Sequence, residues 1–223
     1  MTDVMEPEIA PRTNGRVIRW AARYDLLAWL LTRGRERLLR ERIISLAGIE
    51  RGTSVLDIGC GTGTLAIAAT RHVAPSGTVH GIDASPPMIA RAKRKAEKAA
   101  VNAVFQLAAA EQLPYPDHRF DVVLSTLMLH HLPRTARERC AREITRVLKP
   151  GGRVLAVDFG GRQHGGMLAH FHRHGHVDIQ QIMELLGKAG LTVINSGSVG
   201  MIELRFVLAE APREAPVERA AET

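Results

Sequence analysis

Apolar residues along this chain fall into short, nearly unbroken runs separated by longer stretches with helical spacing. Val55-Leu56-Asp57-Ile58 is the clearest run. Apolar runs of this length, bounded by turn residues, suit strands that are buried on both faces. The pattern predicts strands over 53–58, 78–83, 103–108, 120–126 and 152–159, with helices over 63–72, 86–99 and 134–147 between them. A helix over 176–189, stopped by Gly190, and closing strands over 192–196 and 203–209 complete the series. Strands that alternate with helices imply a doubly wound, mostly parallel sheet. Ahead of the first strand, Trp20, Tyr24, Leu27 and Leu31 recur at helical spacing, as do Leu38, Ile43 and Leu46. Residues 16–46 therefore read as two helices broken at Gly34.

The first strand runs straight into Gly59-Cys60-Gly61-Thr62-Gly63, and helical spacing resumes at Thr64. A strand, a glycine turn and a helix let backbone approach a ligand closely, at the carboxyl edge where open α/β sheets bind. The glycines alone also fit a dinucleotide fingerprint. Asp57, just before the turn, weighs against a pyrophosphate, because like charges at close range repel. It favours a ligand carrying positive charge. Thr78-Val-His-Gly-Ile-Asp83 is a second strand ending in an acid, placed where a carboxylate reaches a ribose hydroxyl pair.

Asp57-Ile-Gly59-Cys-Gly61-Thr-Gly63 resembles motif I of the class I S-adenosylmethionine-dependent methyltransferases, D/E-x-G-x-G-x-G. The cofactor of that family carries a sulfonium and an ammonium and no phosphate. The resemblance extends to Asp83, to Ala84-Ser85-Pro86-Pro87-Met88-Ile89 opening a helix, and to FQLAAAEQLPYPD at 105–117, which is similar to the family's adenine loop. It continues through FDVVLSTLMLHHL at 120–132 and the LKPGG turn at 148–152. The motifs cover residues 50–160 in family order, and the nearest branch resembles ubiquinone/menaquinone biosynthesis methyltransferases. The resemblance implies a Rossmann-like sheet of about seven strands with an antiparallel last strand and an N-terminal helical lid. It implies S-adenosyl-L-methionine as cofactor, held by Asp57, Gly59, Gly61, Gly63, Asp83, Ala84, Met88, Ala110, Glu111 and Ser125. One departure stands out. Where the family commonly has an acid to accept from the adenine amino group, this chain has Ala109, so that Glu111 or a backbone carbonyl would have to serve.

The chain has 223 residues, enough for one domain with a full core. The expected organisation is a flexible tail over 1–13, one domain over 14–210 and a disordered tail over 211–223. Within the domain, 14–48 form the N-terminal helices and 50–160 the cofactor-binding core. Two cysteines, Cys60 and Cys140, make no disulfide or metal framework, and a cytoplasmic setting is the expectation. The net charge is +7, and residues 12–51 carry ten arginines against Asp25, Glu36, Glu41 and Glu50. That charge reads first as solvated helix faces and is also compatible with peripheral contact with a membrane, and a homodimer is compatible with the sequence. Aromatics at 4% offer no base-stacking platform for nucleic acid.

For chemistry beyond the cofactor, His130 and His131 follow the fourth strand at the substrate edge. His130 is the candidate general base, needed only if the acceptor must lose a proton. His131, Trp20 and Tyr24 are candidates for the acceptor pocket or its lid. The histidines at 164, 170, 172, 174 and 176 lie in a glycine-rich loop and read as substrate-facing or solvated rather than as a metal site. The leading expectation is an enzyme that moves a methyl group to a small-molecule acceptor by in-line displacement. The alternatives are a nonenzymatic S-adenosylmethionine-binding protein and an NAD(P)-dependent oxidoreductase.

Overall fold

The structure is a computed structural model that describes residues 13–17, 30, 32, 34–160, 177–201 and 203–213. Its strands are β1 (Ser54–Ile58), β2 (Thr78–Asp83), β3 (Ala103–Leu107), β4 (Phe120–Thr126), β5 (Leu148–Phe159), β6 (Thr192–Ser198) and β7 (Leu204–Glu210). The helices are α1 (Glu36–Ala47), α2 (Thr64–Val73), α3 (Pro86–Ala99), α4 (Arg134–Val147) and α5 (Ile179–Lys188). All seven strands join one sheet in the order β3-β2-β1-β4-β5-β7-β6. β1 to β5 are parallel neighbours, and β7 runs antiparallel to both β5 and β6.

Burial explains the order. β1 and β4 lie mid-sheet and bury almost every residue, as their apolar runs require. β3 and β6 are the edges, and there Val104 and Ile194 face solvent. The core divides at the sheet. Ile43, Ala66, Val55 and Ile89 pack on the face covered by α1, α2 and α3, while Leu56, Val123, Ile144 and Ile182 pack on the face covered by α4 and α5. The strand order reverses between β1 and β4, so the crevice of the fold opens at their carboxyl ends.

Three boundaries differ from the sequence expectation for identifiable reasons. β5 begins at Leu148, because Leu148 pairs with Phe120 before the register shifts ahead of Val122. α5 begins only at Ile179. Asp178 caps it by accepting from the Gln180 amide, and Gln181 returns to the Asp178 amide, a reciprocal cap that fixes the first turn. Residues 13–17 are not helical, although a helix was expected from Arg16. The Arg16 amide donates to the His131 carbonyl at 3.1 Å, so a tertiary contact sets the backbone there. Most of the first expected helix, including Trp20 and Tyr24, and the histidine-rich loop lie outside the described residues.

Candidate functional site

Three glycines shape the turn after β1, each in a different way. Gly59 has φ +71°, and a Cβ on it would lie 2.3 Å from Met128 Cγ. The space it leaves is filled by Met128, a residue of the opposite rim. Gly61 donates its amide to Asp83 Oδ2 at 2.9 Å, which ties the turn to the end of β2. Gly63 caps α2 in the left-handed conformation, and a Cβ there would meet Phe105 Cζ at 2.7 Å. Only glycine fits either of these two approaches. The approach itself is to protein side chains, so the glycines build the walls of the crevice as well as its opening.

Two carboxylates stand at adjacent strand ends. Asp83 accepts from Gly61 through Oδ2 and from the Ser85 amide through Oδ1, both at 2.9 Å. Burial raises its pKa, and the two amides partly offset that rise. Asp57 is 2% exposed, and its Oδ2 has no partner among the described residues. Burial, then the charge of Asp83, pushes Asp57 up to about 7, with the Ala66 amide pulling it down. An unpartnered buried carboxylate beside a second acid is a site for positive charge and repels phosphate. Burial, then the same two acids, pushes the Cys60 thiol well up, so it is a packing group rather than a nucleophile.

A cavity opens above these strand ends. Its walls include Gly59, Gly61, Ile82, Asp83, Ala84 and Met88 on one side. Ala108, Ala110 and Glu111 close the far end, and Leu127, Met128, His131 and Leu132 form the rim after β4. The loop bearing Ala108–Glu111 is held by Arg146, which donates to the carbonyls of Tyr115 (2.7 Å) and Leu113 (3.1 Å) and pairs with Glu143. Sequence reasoning missed one wall, formed by Thr13, Gly15, Arg16 and Val17. Thr13 Oγ1 donates to Glu111 Oε1 at 2.9 Å and Asn14 N donates to the same oxygen at 3.1 Å. Nothing in local periodicity signals a contact across 98 residues.

Of the expected cofactor residues, Gly59, Gly61, Asp83, Ala84, Met88, Ala110 and Glu111 line the cavity. Asp57, Gly63 and Ser125 are buried next to it without lining it. The Ser125 hydroxyl has no partner among the described residues.

His130 meets a residue that sequence reasoning did not single out. Its Nδ1 lies 2.8 Å from Asp158 Oδ1, at the end of β5, and its amide donates to Asp158 Oδ2 at 3.2 Å. The Phe159 amide donates to Oδ1 at 2.9 Å, and Asp158 is 3% exposed. A carboxylate facing Nδ1 places the imidazole proton there and leaves Nε2 as an acceptor. His131, whose ring centroid lies 4.0 Å from that of His130, lines the cavity. Burial, then His130, pushes its pKa down to about 4, so it is neutral at physiological pH.

Fold and site together define an α/β crevice at the carboxyl edge of a mostly parallel sheet, with two acids at adjacent strand ends. Residues 55–152 match a family described as a methyltransferase domain. The chain is 40% identical over 141 residues to the ubiquinone/menaquinone biosynthesis C-methyltransferase UbiE of Azotobacter vinelandii, covering 62% of this chain and 55% of that protein. It is 38% identical over 159 residues to the same enzyme of Pseudomonas entomophila, covering 70% of this chain and 61% of that protein. The chain thus spans less than two thirds of the length of these relatives. A SAM-dependent methyltransferase from Aquifex aeolicus shares the fold with a TM-score of 0.69 at 23% identity, over 85% of this chain and 97% of that one. The [4+2]-cyclase SpnF shares it with a TM-score of 0.70 at 21% identity, over 91% of this chain and all of that one. The resemblance to class I S-adenosylmethionine-dependent methyltransferases stands, with S-adenosylmethionine as the cofactor these findings support. Asp57, whose Oδ2 has no partner among the described residues, the Asp83 carboxylate at the end of β2 and the apolar Ala84, Met88, Ala108 and Ala110 fit that molecule.

Proposed function

We propose that the chain transfers a methyl group from S-adenosylmethionine to a small acceptor with an ionisable hydroxyl, such as a phenol or hydroquinone. The His130–Asp158 pair carries this reading. A sulfonium methyl is already activated and needs no help from a protein acid. Amine acceptors that arrive neutral need alignment alone. A histidine oriented by a buried carboxylate is useful when the acceptor must give up a proton. The relatives named for ubiquinone and menaquinone biosynthesis support a hydroxylated ring, on which loss of the hydroxyl proton activates either oxygen or ring carbon.

The chain's own residues divide the work. Asp83 keeps lone pairs for the ribose hydroxyls beyond those given to Gly61 and Ser85. The turn at Gly59–Gly61, with Asp57 beneath it, receives the cationic methionine end. His130 Nε2 takes the acceptor's proton, and Asp158 balances the imidazolium that results. Neutral His131 adds no repulsion to a cationic methyl donor. The cationic face described by α1, α2 and α3 supports contact with an anionic membrane surface. Residues 34–100 hold eleven Lys and Arg against Glu36, Glu41, Glu50 and Glu97, once the two site aspartates are set aside. Leu38 on α1 is 60% exposed among these arginines.

A screen of hydroquinone, phenol and amine acceptors with labelled methyl donor tests the proposal. Label should enter the hydroxylated rings. His130→Ala should lower their turnover by roughly 10²–10⁴-fold while affinity for S-adenosylhomocysteine stays unchanged. Label confined to amines, or full turnover in a folded His130→Ala protein, would overturn it.

A further inference from the structure

We infer that Arg137 is a positioning residue for the His130–Asp158 pair: it fixes the turn that carries His130, and its charge, set against Asp158, keeps the imidazole free to take a proton. The inference rests on His130 being the base proposed above.

His130 stands on a short support. The 3₁₀ turn Leu129–His131 is three residues long. Within it the His131 amide donates to the Met128 carbonyl at 2.9 Å, and the Leu132 amide to the Leu129 carbonyl at 3.1 Å. The two carbonyls at its exit are bonded from outside. That of His131 accepts from the Arg16 amide at 3.1 Å, and that of Leu132 accepts from Arg137 Nε at 2.8 Å. A guanidinium donor is charged and planar, so this second bond is strong and sets a direction as well as a distance. Arg137 lies in the first turn of α4, where its own amide donates to the Pro133 carbonyl at 3.0 Å. The turn bearing His130 is thereby anchored to a helix.

The same guanidinium stands in the field of Asp158. Burial lowers the Arg137 pKa, and the Asp158 charge raises it. A carboxylate beside Nδ1 favours the imidazolium, and a base already holding its proton cannot take another. A cation shared with that carboxylate opposes the imidazolium by like-charge repulsion. Among the described residues, the other groups facing His130 are neutral His131, the Phe159 ring at 5.7 Å between centroids, and Arg16, whose charge reaches His131. Arg137 combines both actions in one side chain.

NMR titration of histidine-labelled protein reads His130 directly, its resonance being the one missing from His130→Gln. In Arg137→Gln the His130 midpoint should rise by about 0.5–1 pH unit, and the acid limb of kcat with a hydroquinone acceptor should move with it. Arg137→Met, which keeps the apolar stem without the charge, should show the same shift. Arg137→Lys keeps the charge and loses the planar donor. It should hold the midpoint of the unmodified chain yet lower kcat, by up to about 10²-fold for a small misplacement. Affinity for S-adenosylhomocysteine should be unchanged in all three, since Arg137 does not line the cavity. An unmoved midpoint in both folded neutral variants would overturn the inference and leave His130 as the base. A midpoint that moves while turnover is independent of His130 would overturn the base reading, and the part of Arg137 in the reaction with it.

Discussion

Replacing Asp57 with Asn should make the protein more stable and a poorer cofactor binder, with a difference that depends on pH in a defined way. The Asp57 carboxyl rises from an ordinary 3.8 to about 7 in the folded chain. Between those values the unfolded chain has released the proton and the folded chain still holds it. Raising the pH therefore favours the unfolded state. The carboxyl costs nothing below about pH 4, and its penalty grows through pH 5 and 6 and levels off above 7. The rise from 3.8 to about 7 corresponds to at most about 4 kcal/mol. Asn removes the charge but leaves a buried amide facing the position where Oδ2 has no partner, which returns about 1–3 kcal/mol. The net effect should be a gain of about 1–3 kcal/mol at pH 8 that turns into a loss of about 1–3 kcal/mol near pH 4. For a chain of this size that corresponds to roughly 2–4 °C in Tm per kcal/mol. Urea unfolding of both proteins from pH 4.5 to 8.5 measures it. A difference that does not change with pH, or a variant less stable at pH 8, would refute the argument. Affinity for S-adenosylmethionine should fall in the variant, since the cationic end loses its carboxylate.

Two further outcomes follow from the geometry. Asp83→Ala should weaken S-adenosylhomocysteine binding by about 1.5–3 kcal/mol and lower Tm, because the Gly61 and Ser85 amides lose their acceptor; unchanged calorimetric affinity would place the ribose elsewhere. Vesicles containing phosphatidylglycerol should sediment the chain at low salt and release it at high salt. Arg37→Glu combined with Leu38→Glu should cut that binding roughly tenfold or more, and equal binding to neutral vesicles or preferential capture by RNA would exclude an anionic membrane as the partner.

The sheet was legible because its strands are buried on both faces and so show as unbroken apolar runs. β2 and β4 begin and end where the sequence placed them. Acids at strand ends were legible for the same reason: Asp57 and Asp83 interrupt apolar runs at the binding edge. Asp158 stands one residue before the end of β5 in the same fashion, after Val154-Leu155-Ala156-Val157, and the same signal could have found it. Its partnership with His130 could not be read, because it depends on the β4–β5 register and the 3₁₀ turn at Leu129–His131. Glu111 was visible as a candidate for the adenine but not as a latch. That role depends on Thr13 and Asn14, polar residues in a stretch with no periodicity and distant in sequence.

The segment over 13–17 is sewn to both rims of the crevice, to Glu111 on one side and to the His131 carbonyl on the other. A seam of this kind acts as a toll on traffic. If bound cofactor lies beneath this segment, demethylated cofactor can be exchanged for fresh cofactor only as often as the seam comes undone. If it does so more slowly than the methyl moves, steady-state turnover becomes nearly the same for good and mediocre acceptors. The acceptors would then differ in the first turnover, visible as a burst, and hardly at all afterwards.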